Sequence, residues 1–247
     1  MKHMKTLLGL LVLLGALSCT KTRLSSEGGE GNVSFTVSTD YDLVEVTKSS
    51  VSDYADLPQT ADFNLVVKDK AGKYSWSGLL ADWDPATKLP AGAYTVEAFY
   101  GSLEEEGFNK PYFYGTSEFA VSGGQNSEVS VEVALANTIV RINCTEMFKN
   151  YYVDYSFDLL RGTTLIAEYA KDETKGVFID GYKLNLSAVF INEVGTEYQF
   201  SKEFSNLDPA TAYTIEFDLN NVGGSSVSVS FNDTVEVVDL ENFELNE

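Results

Sequence analysis

Hydrophobic and polar residues alternate along most of the chain, which is the pattern of β-strands with one buried face. Glycine pairs at residues 123–124 and 223–224 and a turn at 232–233 separate such segments. Helical turns are expected only near residues 79–83 and 146–151, so the pattern predicts an all-β protein. The alternating segments cover residues 33–37, 63–67, 129–135, 140–144, 155–159, 184–188, 213–217 and 227–231.

One motif occurs twice. The segment from Leu89 to Tyr94 is similar to the segment from Leu207 to Tyr213, and the two tyrosines are 119 positions apart, about one domain length. In immunoglobulin-like sandwiches such as fibronectin type III, a tyrosine at this kind of corner bonds back to the backbone. We therefore predict corner roles for Tyr94 and Tyr213, in two tandem immunoglobulin- or fibronectin-like β-sandwiches; a single larger sandwich is the alternative. The predicted domains are residues 32–136 and 137–247.

The first residues predict export and a lipid anchor. A basic start precedes an apolar run at residues 7–17, which has the length of a signal peptide and is too short to span a membrane. Residues 16–19, Ala-Leu-Ser-Cys, resemble a lipobox, which implies acylation of Cys19. The alternative is an ordinary secretory signal with a chance cysteine. The predicted segments are a lipoprotein signal peptide at 1–18 and the lipidated cysteine with a flexible tether at 19–31.

Composition narrows the chemistry. The chain carries 37 acidic and 17 basic residues, and this net charge of −20 opposes binding to nucleic acid. Its one histidine, His3, lies in the predicted signal peptide, which excludes a Ser-His-Asp triad and histidine-built zinc sites from the mature chain. Cys144 alternates with Val140 and Ile142 and is predicted to be buried. A carboxylate pair is the remaining catalytic alternative, and we predict no catalytic residue, no cofactor and no enzyme activity.

Aromatic residues are concentrated between Trp76 and Tyr114, close to the acidic run at 104–106. Sugars present apolar C–H faces that stack on aromatic rings, while carboxylates accept hydrogen bonds from sugar hydroxyls. The cluster is therefore a candidate glycan-binding surface, but the frequency of Phe and Tyr in strands favours rings that fill the core or cover an edge. The candidate ligand-binding residues are Trp83, Phe108, Tyr112 and Tyr114.

Two further motifs concern ions and modification. The acidic runs at 82–84 and 104–106 could offer oxygen ligands to calcium, but neither has the alternating acidic loop of a dedicated site. We interpret both runs as solvated surface charge and predict no metal site. Asp233-Thr234-Val235 resembles the three-residue O-glycosylation acceptor of Bacteroidetes, which implies Thr234 as a candidate modified residue.

The middle of the chain also resembles a known family. Residues 106–115, Glu-Gly-Phe-Asn-Lys-Pro-Tyr-Phe-Tyr-Gly, follow a strand at 94–99 and a Tyr-Gly pair at 100–101. This combination resembles surface lipoproteins of Bacteroidetes that form a family of unknown function. More distantly, the layout is similar to fimbrillin-like proteins, whose two β-sandwiches assemble into pili or cap them. The resemblance implies an outer-membrane lipoprotein at the cell surface or on the periplasmic face.

These observations predict a non-enzymatic binding or adhesion module. Its expected partners are the membrane, through Cys19, and a glycan or a surface protein. The alternative is a structural or accessory subunit of a fimbria-like assembly, joined to its neighbours by donated strands. Residues 235–240 are the candidate exchangeable strand.

Overall fold

The computed structural model describes residues 28–43, 49–220, 226–231 and 234–242. The predicted signal peptide, Cys19 and the tether up to residue 27 lie outside the described residues, as do the turns predicted at 223–224 and 232–233. The described part is mostly strand and confirms the predicted all-β sandwich fold. No described helix is long and apolar enough to cross a membrane. The helices are α1 (Glu146–Tyr151) and single 3₁₀ turns at Val51–Asp53, Thr60–Asp62 and Leu80–Asp82.

The first sandwich is one sheet folded on itself, with strand order β3-β2-β5-β7-β8-β1-β4. The sheet bends between β7 and β8, where Phe113 pairs with Leu135 and Tyr114 pairs with Ala134. A Cβ at the next residue, Gly115, would lie 1.9 Å from a backbone oxygen, so this approach requires glycine. The strands are β1 (Glu30–Asp40), β2 (Asn64–Asp69), β3 (Ser75–Leu79), β4 (Lys88–Pro90), β5 (Gly92–Tyr100), β6 (Gly107–Phe108), β7 (Phe113–Val121) and β8 (Asn126–Leu135).

The second sandwich packs two sheets, ordered β11-β10-β13-β14-β18 and β17-β16-β15-β9-β12-β6. Their inner faces enclose a second hydrophobic core, to which Phe148 of α1 contributes a fully buried ring. The strands are β9 (Thr138–Cys144), β10 (Tyr152–Arg161), β11 (Thr164–Tyr169), β12 (Val177–Ile179), β13 (Lys183–Asn192), β14 (Glu197–Ser205), β15 (Ala212–Leu219), β16 (Ser226–Phe231), β17 (Thr234–Asp239) and β18 (Glu241–Asn242).

The two sandwiches share one strand order. If the strands of each sandwich are counted from its own amino end and β6 is left out, the order 3-2-5-6 appears in both, as β3-β2-β5-β7 and as β11-β10-β13-β14. The seventh strand lies parallel to the first in both, as β8 with β1 and β15 with β9. The first and second strands therefore lie on opposite sides of the core, whereas they share a sheet in immunoglobulin domains. By this order β5 corresponds to β13 and β15 to β8. Tyr94 and Tyr213 thus stand on non-equivalent strands, and the repeated motif does not mark the structural repeat.

The seam between the sandwiches is crossed in both directions. Strand β6 leaves the first half and pairs with β12 in the second. Ile139 and Phe178, from the second half, are fully buried in the first core. At the amino end, β1 begins at Glu30, because Glu30 and Gly31 pair with β4, although the sequence placed both residues in the tether. The predicted boundary at 136/137 stays a prediction.

Candidate functional site

Four side chains form a line across the outer face of the first sandwich. Asn64 of β2 pairs with Leu79 of β3 and with Phe99 of β5, and Phe99 pairs with Tyr114 of β7. Neighbouring strands are about 4.8 Å apart, so the line is roughly 14 Å long. We call these four residues, together with Tyr112 beside Tyr114, the aromatic row.

Strand alternation directs these side chains outward. The neighbours Leu65, Ala98 and Phe113 are buried in the core, and the next residue along each strand must face the other side of the sheet. Tyr114 and Leu79 are accordingly 38% and 40% exposed. The row therefore presents Leu79 and Tyr114 to solvent, with the half-buried Asn64 and Phe99 between them.

The two tyrosines at the end of the row form a pair. The ring centroids of Tyr112 and Tyr114 are 6.2 Å apart and the planes are inclined by 33°. Partial burial raises the pKa of Tyr112 above its usual value, and the nearby Tyr114 and Glu97 raise it further. The Tyr112 hydroxyl therefore remains neutral and can donate and accept hydrogen bonds at physiological pH.

A buried asparagine fixes the backbone beneath this pair. Asn137 is 1% exposed. Its Nδ2 donates to the carbonyl oxygen of Lys110 at 2.9 Å, and its Oδ1 accepts from the Tyr112 amide at 3.2 Å. The carbonyl of Tyr112 in turn accepts from the amide of Ala136 at 2.7 Å. The residue at the seam thus positions Tyr112, a role for which the sequence gives no signal because it depends on a contact 25 residues away.

Carboxylates surround the row. Glu97 lies two residues before Phe99 on the same face of β5, and its Oε1 is 3.9 Å from Lys68 Nζ. At the bend between β7 and β8, Tyr114 also lines a shallow depression of about 480 Å³. The other residues lining it are Ser38, Thr39, Asp40, Glu132, Val133 and Ala134.

The other two predicted ligand-binding residues lie away from this face. Trp83 is buried in the first core, where its Nε1 donates to the carbonyl of Val33 at 2.8 Å. Phe108 lies in β6 at the seam, with its ring centroid 5.2 Å from that of Tyr169. Of the four candidates, only Tyr112 and Tyr114 are brought together, and ligand contact by any of them stays a prediction.

Sequence analysis did not assign Asn64 and Leu79 to the site, and it included Phe99 only as one member of the broad aromatic cluster. The alternation shows that Asn64 and Phe99 face away from the core, but it does not show which strands are neighbours. The row appears only when the pairing of β3, β2, β5 and β7 is known.

The predicted corner tyrosines both bond to backbone upstream. The hydroxyl of Tyr94 donates to the carbonyl of Pro90 at 2.8 Å. The hydroxyl of Tyr213 accepts from the amide of Asp208 at 3.1 Å. The tyrosine hydroxyl is thus the donor at Tyr94 and the acceptor at Tyr213, and the two tyrosines stand on non-equivalent strands.

The remaining predicted positions can also be placed. Thr234 is exposed at the start of β17, where it pairs with Phe231. Cys144 is buried, and this burial raises the pKa of its thiol to about 12, which suppresses the nucleophilic thiolate. Among the described residues, no group of three or more His, Cys, Asp or Glu side chains could hold a metal ion.

Comparison with solved structures finds distant likenesses. A Bacteroides thetaiotaomicron protein whose name proposes polysaccharide binding has 14% identity and a TM-score of 0.45, covering 85% of this chain and 98% of that one. A Bacteroides eggerthii protein whose name proposes cell adhesion has 10% identity and a TM-score of 0.45, with coverages of 88% and 96%. The fimbrial anchor protein Mfa2 of Porphyromonas gingivalis has 13% identity and a TM-score of 0.36, with coverages of 84% and 98%. Likenesses of this kind assign no function.

Sequence comparison gives a family and no curated relative. No curated protein matches the chain. A family model described as "Domain of unknown function (DUF4493)" matches residues 29–245, which includes both sandwiches.

Proposed function

The chain belongs to the DUF4493 family, a domain of unknown function, and we propose that it is a non-enzymatic surface binding module whose aromatic row holds a carbohydrate. The observation that carries the proposal is the line of Leu79, Asn64, Phe99 and Tyr114 across four neighbouring strands. Exposed apolar and aromatic side chains grouped on one face, with polar groups among them, are characteristic of a recognition surface. The row combines ring faces for stacking with an amide for hydrogen bonding.

The module is proposed to be held at the outer membrane by a lipid on Cys19, with the binding face on the cell surface. The proposal of an anchor rests on the Ala-Leu-Ser-Cys sequence at 16–19, which lies outside the described residues. A multiply acylated cysteine gives stable attachment, which a single acyl chain does not. Such a protein would act as an adhesin or as a collector of glycans.

A binding role fits the side-chain chemistry better than catalysis does. The predicted mature chain has no histidine, and its one remaining cysteine, Cys144, is buried and protonated. The row itself offers stacking surfaces and hydrogen-bonding groups, which orient a ligand without breaking a bond. We therefore propose recognition without turnover.

The test is glycan-array binding by residues 20–247, which retain every described element. We expect the parent to bind a defined class of sugars, and Tyr114→Ala to lose at least tenfold in affinity while keeping its circular dichroism spectrum and unfolding midpoint. Tyr182→Ala is the matched control, because Tyr182 is a 78% exposed tyrosine of the second sandwich. Equal losses in both variants, or no binding by the parent, would refute the proposal.

A second candidate function has one observation in its favour. Strand β17 ends its sheet among the described strands, and Val235 on it is 66% exposed. An exposed apolar edge strand can accept a strand from another protein, as subunits of fimbria-like assemblies do. The predicted exchangeable segment at 235–240 falls on this strand, which is paired with β16 from Thr234 to Asp239.

Assembly would be tested with a charge placed on this edge. If β17 mediates contacts between subunits, Val235→Lys should abolish higher oligomers in sedimentation velocity while leaving glycan binding intact. Val153→Lys is the control, because Val153 is exposed on β10 and lies outside this sheet. A parent that sediments as a monomer at all concentrations would remove the support for this function.

A further inference from the structure

We infer that the aromatic row selects neutral oligosaccharides over anionic ones; this inference rests on the proposed carbohydrate-binding function. The inference follows from the charges near the row, from the absence of arginine in the sequence of the first sandwich, and from the length of the row.

Cations near the row are already paired with carboxylates. Lys68 Nζ lies 3.9 Å from Glu97, and Lys110 Nζ, two residues before Tyr112, lies 3.1 Å from Glu105. Each of these lysines is thus neutralised by a glutamate. Neither is left to hold a carboxylate or sulfate group of a ligand.

Carboxylates at the Tyr114 end of the row are not balanced in the same way. Asp40 and Glu132 line the depression beside Tyr114. No ion pair among the described residues includes either of them. An anionic sugar placed on Tyr114 would therefore approach two carboxylates that belong to no ion pair of the described residues, on a chain whose net charge is −20.

Arginine is missing from this half of the sequence. Its guanidinium is the group best suited to bind a carboxylate or sulfate through two parallel hydrogen bonds. The chain has no arginine between Arg23 and Arg141. Arg141 and Arg161 belong to the second sandwich, where Arg141 Nε donates to Thr214 and Arg161 pairs with Glu106 at 2.5 Å. The first sandwich is thus built without the residue that recognition of acidic glycans usually uses.

The polar groups that remain suit hydroxyls. Glu97 can accept from sugar hydroxyls, and the Asn64 amide can both donate and accept. The row is roughly 14 Å long, which is longer than one sugar ring and calls for several linked sugars lying across the strands. The structure therefore assigns a neutral oligosaccharide, stacked on Phe99 and Tyr114, as the ligand class.

The experiment measures affinities of residues 20–247 for matched hexasaccharides at 50 and 300 mM NaCl. The neutral probes are hexamers of glucose, mannose and N-acetylglucosamine, and the anionic probes are hexagalacturonate and a sulfated hexasaccharide. We expect a neutral probe to bind at least tenfold tighter than the anionic probes at 50 mM salt. The difference should shrink at 300 mM salt, because salt screens the repulsion.

Two variants separate this inference from the function on which it rests. The double variant Asp40→Asn/Glu132→Gln should keep its affinity for the neutral probe within twofold and bind anionic probes several-fold better than the parent. Preferential binding of an anionic probe that Tyr114→Ala abolishes would overturn the inference and leave the carbohydrate site standing. Absence of binding to every probe would overturn both.

Discussion

The two sandwiches have the same strand order and both bury aromatic rings in their cores, but the first also carries Phe99 and Tyr114 on its outer face. In the second, Phe157, Phe190 and Phe217 meet one another in the core, with centroids 4.8 to 5.9 Å apart. In the first, Phe99 and Tyr114 lie on the outer face. Because side chains alternate along a strand, a shift of one position moves a ring from core to solvent. One topology can therefore serve as a packed scaffold or as a recognition surface.

The edges of the sandwiches differ as well. In the first, the pairing of β7 with β8 joins the two layers on one side, next to which Tyr114 lies. In the second, β16 and β17 extend the sheet beyond β15, so that its outer strand is an apolar edge. This difference suggests that the first sandwich interacts through a face and the second through an edge.

The largest expected effect tests where aromatic rings contribute to stability. Phe190 is fully buried and touches five other rings, so Phe190→Ala should lower the free energy of unfolding by about 4 kcal/mol. The control Tyr114→Ala should cost about 0.5 kcal/mol or less, because its ring is a surface group. Urea unfolding monitored by circular dichroism measures both. Similar costs would contradict the division into scaffold and surface.

The next largest effect tests whether Asn137, at the seam between the sandwiches, holds the backbone of the first one in place. Asn137→Ala would leave the buried carbonyl of Lys110 and the amide of Tyr112 without their partner, at a cost of about 3 kcal/mol. Hydrogen exchange should show faster opening at residue 112 than in β13. If exchange at residue 112 is unchanged, Asn137 does not position the tyrosine pair.

Alkaline pH should affect the second sandwich more than the first. Burial raises the pKa of Cys144 to about 12, and it also raises the pKa of Tyr152 and Tyr169 well above 10. Groups that stay protonated in the fold but ionise when unfolded stabilise the protein fully only well below their unfolded pKa, and this stability is lost as pH rises through and above that value. For Cys144 alone the loss is about 2 kcal/mol at pH 10.5.

Urea unfolding from pH 8 to 10.5 measures this loss, and Cys144→Ala should reduce it. Iodoacetamide should label Cys144 only after unfolding, because the folded thiol is neutral and buried. A midpoint that is constant across this pH range would contradict the prediction.

The smallest effect compares the two corner tyrosines. Tyr94→Phe removes the donor to Pro90, and Tyr213→Phe removes the acceptor for the amide of Asp208. Each change should cost about 1 kcal/mol, the net contribution of one hydrogen bond. Thermal unfolding of both variants beside the parent measures the difference. A cost above about 3 kcal/mol at either site would show a packing role beyond the bond.

Alternation along the sequence predicted eight of the 18 strands among the described residues. The segments at 63–67, 129–135 and 184–188 all lie in or overlap strands, because period two directly reports one buried face. The same signal placed Cys144 inside, and it is buried.

Pairing between strands could not be predicted in this way. The Leu-to-Tyr motif repeats in the sequence, yet its two copies lie on non-equivalent strands, since a local motif describes a corner and not the neighbours of a strand. Strand β6 has two residues, too few for any periodicity, and its partner lies in the other sandwich. For the same reason, placing Phe108 at the seam required the full structure.

The pairing of β6 with β12 has a consequence for protein synthesis. The ribosome releases Gly107 and Phe108 well before it makes Val177 and Phe178, about 70 residues further on. At the usual speed of translation the wait is roughly 4 to 14 seconds. During that interval the first sandwich is nearly complete, but β6 has no partner strand because β12 has not been synthesised. The joint between the halves must therefore form late, after the growing chain has reached β12.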